Sequence, residues 1–430
     1  MYSDYCTIPE LWLQRVPSHW ASRRLKFLFS ERVEKGFPNE PLLVASQSMG
    51  VVPKEVYQNR TVEATKDLHN LKLVRVGDFV ISLRSFQGGI EYAYYDGIIS
   101  PAYTVIVPTA PITGGYFRHL SRSRMFIELL QMCVTGIREG QNIDFLKLKN
   151  HLVPLPPREE QDQIVRYLDW KVSQINQLVN AKRKQITLIR EYITSKIEAS
   201  ISLPDTELVQ LQNVIDQNVE WVERENDKEY TPIGMYNRGR GIFHKPIVRG
   251  SDLGDSSFFY VLEDAVVFSG QFAWEGAVSL TSEKERGCIA SHRYHLAKGR
   301  KGVLSNEYLW ALMQTDLGQQ LLNRYSRGGA GRNRPLNFGR LCKEKIPVPS
   351  QSVQDDIAKW VALYFALTEH VSLLSKSTSE LRTRLISDVV TGKLDVRDVA
   401  IPEYEAVTEE TDSGNDDEEA VEEEDVPEGL

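Results

Sequence analysis

Cysteine is scarce in this chain and widely spread: Cys6, Cys133, Cys288 and Cys342 are its four. No two stand at C-x-x-C spacing, which argues against a zinc ribbon and a disulfide framework and points to a reducing cytoplasm. No run of about 18 apolar residues occurs, so neither a transmembrane helix nor a membrane role is predicted. The opening "MYSDYCTIPELWLQRVPSHW" lacks a basic stretch followed by an apolar core and is not read as a secretory signal. With 430 residues, 41% hydrophobic and 26% charged, the chain reads as globular with two or three domains.

Catalytic motifs are missing as well. "GGAGRNR" (328–334) is glycine-rich but lacks the Lys-Ser/Thr ending of a phosphate-binding loop. His292 and His295 sit on a predicted strand that points them to opposite faces, with no further ligand at metal spacing. The D-x-K triplet Asp169-Trp170-Lys171 lies in a predicted helix, where i and i+2 do not share a face. "SPAY" (100–103) is one residue from the [DNS]-P-P-[YFW] signature of amino-methyltransferases. The glycine-rich cofactor loop such an enzyme needs is absent; "FSGQF" (268–272) is a poor match in the wrong half. No G-x-S-x-G occurs either. The chain reads as non-catalytic, with no metal and no cofactor of its own.

What is present is uneven charge. The formal net charge is −8, but residues 401–430 hold 14 Asp or Glu and no Lys or Arg. Without them 45 acids face 51 bases, so the body is mildly basic. Such a polyanionic end cannot bury enough apolar area to order itself and is expected to be disordered, as a solubilising tail or as a DNA mimic that screens a basic surface.

A long repeat is also present. "PLPPREEQDQIVRYL" (154–168) lies over "PVPSQSVQDDIAKWV" (347–361), with Phe145 on Phe338, Leu148 on Leu341, Gln161 on Gln354 and Ile164 on Ile357. Upstream, "SQSMGVVPKE" resembles "YNRGRGIFHKP", "GDFVISLRSFQGG" resembles "EDAVVFSGQFAWEG", and "GYFRHLSRSRMFIELLQ" resembles "NEYLWALMQTDLGQQLLN". A period of roughly 190 residues is far longer than a solenoid unit and reads as a duplicated module. Each copy alternates β-rich runs ("LKLVRVGDFVISL", "AYTVIVP"; "FFYVLEDAVVFS", "CIASHRYHL") with one amphipathic helix, "GGYFRHLSRSRMFIELLQMC" or "NEYLWALMQTDLGQQLLNRY".

After each Pro-x-Pro a long helix is predicted. Leu168, Val172, Ile175, Val179, Lys182, Ile186, Ile189 and Ile193 form a heptad seam; Ile357, Val361, Tyr364, Thr368, Val371, Leu374, Thr378, Leu381 and Leu385 form a looser one. An apolar stripe about 60 Å long needs a partner, and the equivalent helix of the other copy is the natural one, giving an antiparallel coiled-coil pair. The loops between strands carry Arg, Asn, Gln, Ser and aromatics without matching acids. Arg forks suit guanine or phosphate, and Asn and Gln suit adenine. The candidate DNA-binding residues are Arg84, Ser85, Gln87, Arg138, Gln141 and Asn142 in the first copy. In the second they are Tyr236, Asn237, Arg238, Arg240, Gln271, Arg327, Arg332, Asn333 and Arg334.

The order "IPELWLQRVPSHWASRRLKFLF", "GDFVIS", "GQN…FLKL…VPLPPREEQDQIVRYLDWKVSQINQLV", "IPVPSQSVQDDI" and "LISDVVTGKLDVRDV" closely resembles the specificity (S) subunit of type I restriction-modification enzymes, over nearly residues 8–399. The resemblance implies a mixed α/β chain with a pseudo-twofold internal repeat. Its parts are a target-recognition domain (1–157), a spacer helix (158–200), a second target-recognition domain (201–350), a second helix (351–395) and the acidic tail (396–430). It implies that each domain reads half of a split duplex site while the paired helices set the gap. The partners it implies are double-stranded DNA and two methyltransferase subunits, which would bind S-adenosylmethionine, with restriction/translocase subunits beyond them. A fused methyltransferase-specificity protein and a coiled-coil scaffold without a DNA role remain as alternatives.

Overall fold

Pro156 and Pro157 restrict their own backbone and disfavour helix in the residue before them. The strand Leu152–Leu155 therefore stops there, and a helix of 44 residues, Arg158–Ile201, begins. The same handover occurs at Pro347 and Pro349, where the strand Lys345–Val348 gives way to Gln351–Val390, a helix of 40 residues. This computed structural model describes residues 1–47, 49–57, 67–83, 85–109, 111–135, 142–328, 334–408 and 420–421. The chain divides into two compact units, Met1–Asn180 with Leu373–Glu410, and Ala181–Ser372 with Thr411–Leu430, so each long helix contributes to both.

In the first unit a four-stranded antiparallel sheet runs in the order Phe29–Arg32, Thr104–Pro108, Phe79–Ile81, Glu91–Tyr92. Leu152–Leu155 pairs antiparallel with Ala21–Arg24. Trp12, Phe79, Phe117, Phe126 and Leu130 form the core, and Ile164, Leu168, Val389 and Val390 of the two long helices close it. In the second unit the sheet order is Ile215–Asp216, Tyr294–Gly299, Val266–Ser269, Val278–Leu280, and Glu207–Gln210 pairs with Lys345–Val348. Its core holds Phe268, Tyr308, Trp310 and Leu322, closed by Ile193, Ile197, Ile357 and Val361.

Two buried glutamines secure the handovers. Gln161 Oε1 accepts from Thr113 N at 2.9 Å, while Nε2 donates to Pro111 O at 3.2 Å and Pro156 O at 2.9 Å. Gln354 Oε1 accepts from Ser305 N at 2.8 Å, and Nε2 donates to Val303 O and Pro349 O, both at 2.9 Å. Tyr116 and Tyr308 add hydroxyl bonds to Pro154 O (3.3 Å) and Pro347 O (3.1 Å).

Three sequence expectations need correction. Each amphipathic run is two helices rather than one: Gly114–Leu120 and Arg124–Met132, then Asn306–Met313 and Asp316–Tyr325. Ser123 and Thr315 cap the second helix of each pair and so create the break. Gly318 is required beside the second break, because a Cβ there would lie 2.3 Å from Leu312 O.

Secondly, Leu381 is 55% exposed. The buried face steps from Thr378 to Arg382 instead, because an α-helix turns past a strict heptad and Arg382 Nη2 finds Asn176 Oδ1 at 3.3 Å. The other seam residues lie inward: Leu168, Val179, Ile357, Val361, Tyr364 and Val371 are buried, and Val172, Ile175, Ile186 and Ile189 are half-buried. Thirdly, the tail does not begin at residue 396. Val396 is buried in the first core. Gln163 Nε2 donates to Val396 O (3.0 Å) and Val399 O (2.9 Å), Ser173 Oγ to Glu405 O (3.0 Å), Asn176 Nδ2 to Val407 O (2.8 Å) and Asn180 Nδ2 to Thr408 O (3.0 Å). Beyond residue 408, Ala420–Val421 pairs with Met235 and Tyr236, and the rest of the tail lies outside the described residues.

By length and composition alone, the helix Gln351–Val390 is long and apolar enough to cross a membrane. Its Ile357, Val361 and Tyr364 pack in the second core.

Candidate nucleic-acid interface

The loop after the strand Ile233–Tyr236 must turn sharply, and it does so through residues with positive φ: Arg238 at 57°, Gly239 at 66° and Gly241 at 112°. A left-handed arginine costs about 1–2 kcal/mol, and two backbone bonds hold it. Arg238 N donates to Glu275 O at 2.8 Å, and Gly239 N donates to Gly276 O at 2.7 Å. This loop therefore lies on the 270–276 loop, which follows the central strand Val266–Ser269.

The 270–276 loop also receives a third segment. Arg334 N donates to Gln271 O at 3.3 Å, and Leu336 N to Gly270 O at 2.6 Å. Gly270 permits the close approach of the neighbouring strand end, since a Cβ there would meet Arg293 O at 1.9 Å. Tyr236, Asn237, Arg238, Arg240, Gln271 and Arg334, chosen from separate stretches of sequence, are thereby brought to one place.

Their side chains differ in freedom. Arg240 lies 5.3 Å over the Tyr236 ring and donates to Asn237 through Nη2 to Oδ1 (2.5 Å) and Nε to O (3.2 Å). Asn237 is buried and also donates to Glu275 Oε2 at 3.3 Å, so it organises the loop rather than facing solvent. Arg238 and Arg334 are exposed, and the Arg334 guanidinium lies 4.3 Å over the ring of Trp274. Arg327 is exposed beside the bridge of Ser326 to Leu336. Arg332 and Asn333 lie outside the described residues. Sequence reasoning missed Trp274 and Glu275; the aromatic-acid pair inside "QFAWEG" was the available signal. His295, stacked on Phe338 at 4.7 Å, is pushed down to about 4 by burial, so it is a neutral core ring and adds no positive charge.

In the first unit the corresponding turn follows Phe79–Ile81. Ser85, expected to contact DNA, is fully buried. Its hydroxyl donates to Glu91 Oε2 at 2.8 Å, and the Ser82 hydroxyl donates to Glu91 Oε1 at 3.0 Å. Ser85 therefore shapes the turn; it opens the helical turn Ser85–Gly88, where a side chain that satisfies the backbone is worth more than one facing solvent. Burial raises the Glu91 carboxyl above its usual range, against the serine bonds and Arg122, and burial also lowers the Arg122 guanidinium. Gln87 on this turn is exposed, and so is Asn142, in the strand Asn142–Ile143 that pairs with Val134–Thr135. Arg84, Arg138 and Gln141 lie outside the described residues. Near the long helix, Asp169 meets Arg118 Nη2 at 2.5 Å and His119 Nε2 at 2.9 Å. Burial lowers His119; it would raise Asp169, but the two partners outweigh it and the carboxyl is lowered. The D-x-K acid is thus engaged in an ion pair.

Among the described residues no cluster of His, Cys, Asp or Glu could hold a metal ion. The chemistry gathered here is that of hydrogen-bond donors and stacked rings, suited to a polyanion with base edges.

No protein-family model matches the chain, and no curated protein matches it. Solved structures are similar. A chain from work on complex assembly and conformational transition of the type I R-M system shares 16% identity with a TM-score of 0.53, over 88% of this chain and 99% of that one. The HsdS subunit from Thermoanaerobacter tengcongensis shares 15% identity (TM-score 0.42) over 88% of this chain and 98% of its own. The type I restriction-modification S subunit from M. genitalium shares 15% (TM-score 0.42) over 86% and 96%. The first of these likenesses establishes the fold: a mixed α/β chain with two long helices.

Proposed function

We propose that this chain is the DNA sequence-specificity subunit of a type I restriction-modification complex, non-catalytic in itself, and that each unit reads one half of a bipartite duplex site. The observation that carries the reading is the meeting of three polar loops on the second unit, at Tyr236–Arg240, Gln271 and Arg334, two of them arginine-bearing, in a fold like that of a type I R-M chain. The units are read as copies of one module. Supporting this, Gln161 and Gln354 make corresponding bonds, and the two four-stranded sheets run in the same order. The long helices are read as an antiparallel coiled-coil spacer. In its favour, Asn176 meets Arg382 in the first unit, while Lys196 meets Asp356 (2.8 Å) and Tyr192 meets Trp360 in the second. The expected partners are two methyltransferase subunits, which would bring S-adenosylmethionine, and restriction subunits, all in the cytoplasm.

The test is sequencing of methylated bases in cells that co-express the chain with its cognate methyltransferase subunit. A split motif with a fixed gap is expected. Methylation that is absent, or confined to one continuous motif, overturns the proposal.

A further inference from the structure

We infer that Arg334, backed by Trp274, reads a guanine in the half-site of the second unit; this rests on the function proposed above. The two aromatic-backed arginines of the shared surface are not equivalent. Arg240 gives Nη2 and Nε to Asn237, so much of its fork is occupied within the loop. Arg334 is exposed, its guanidinium lies 4.3 Å over the Trp274 ring, and among the described residues no carboxylate or carbonyl meets its guanidinium.

Stacking commits the face of a guanidinium and leaves the N–H groups at its edge free. Two of those, coplanar, match the O6 and N7 acceptors that guanine presents in the major groove. A guanidinium already held in plane loses less freedom on binding, which favours a defined contact over a diffuse one with phosphate. The indole carries its own sign of purpose. Trp274 Nε1 is buried and has no hydrogen-bond partner among the described residues. A buried donor without a partner is costly, so the ring is there for its face, and tryptophan gives the strongest cation–π support. The backbone bond from Arg334 N to Gln271 O fixes the base of the side chain on the same loop.

The experiment is methylated-base sequencing with the full chain in its methyltransferase complex, comparing wild type with R334A, R334K, W274A and W274F. In R334A and R334K one G·C position in one half of the motif becomes degenerate, with discrimination lowered about tenfold or more, while the other half is unchanged. W274A weakens the same position severalfold, and W274F retains it. An R334K complex that keeps full discrimination at every position overturns the inference, as does a change spread over both halves. A wild-type complex without any split motif instead sinks the proposed function, so the two failures are distinguishable.

Discussion

At the first junction Glu160 precedes the buried glutamine; at the second, Val353 does. Both glutamines bond the same three kinds of backbone group, so that part of the junction is common. Glu160 does something without a counterpart. Its carboxylate is buried and accepts from Trp20 Nε1 at 3.0 Å, lies 2.8 Å from His19 Nε2, and takes the hydroxyl of Tyr2. All three partners belong to the first twenty residues, and Arg397 lies 4.8 Å over the Tyr2 ring. The first unit has to bind both the start of the chain and the segment after the second long helix. In the second unit Val353 packs against the core instead. The difference between "PREEQDQ" and "SQSVQDD" therefore reflects the contact that Glu160 makes with residues 2–20 and leaves the joint itself intact.

The largest effect should come from breaking what is shared. Gln161→Leu strands Thr113 N, Pro111 O and Pro156 O; Gln354→Leu strands Ser305 N, Val303 O and Pro349 O. Each should cost about 3 kcal/mol, from buried groups left without partners, measured by urea unfolding. Equal losses sharpen the comparison; a loss at only one glutamine breaks it. Next comes Glu160→Val, which gives the first junction the residue of the second. It leaves Tyr2 and Trp20 without their acceptor and should cost about 2 kcal/mol, with new hydrogen exchange confined to residues 1–20 and 392–401. A neutral outcome would mean that Glu160 does not hold residues 2–20 in place.

Much of this architecture was legible. The Pro-x-Pro junctions, the β-rich runs and the long helices follow from local rules about proline, alternation and heptad spacing, which act within a few residues. What was not legible depended on distant chain. The row Ser173, Asn176 and Asn180 is polar, yet Ser173 and Asn176 are buried because backbone from residues 405–408 lies on it. A heptad reading sees only Val172, Ile175 and Val179 beside it. Composition likewise marked residues 396–408 as tail, because acid content says nothing of the acceptors that Gln163 and its neighbours can reach. In the candidate interface, residue type selected loops that the second unit brings together but not the orientation of each side chain: Ser85 turned inward to Glu91, and Trp274 supplied a ring that a search for polar groups passes over.

The smallest effect separates the two turns that follow Phe79–Ile81 and Val266–Ser269. The first is held by the buried carboxylate of Glu91, the second by Ser269 Oγ, which accepts from Phe272 N at 3.1 Å. Burial raises Glu91 in the folded state, so the folded chain binds that proton more tightly than the unfolded one. Its contribution is fully present below the ordinary carboxylate value and is lost as pH rises through the higher, folded value. Glu91→Gln keeps an acceptor for one serine and carries no charge to desolvate. Its stability relative to wild type should therefore rise as pH is raised from about 4 toward neutrality, reaching about 1 kcal/mol or less. Thermal unfolding of both chains across that range measures it. A difference that stays flat with pH would mean that Glu91 is not held in a desolvated site, and the contrast between a turn fixed by a buried acid and one fixed by a serine cap would fail with it.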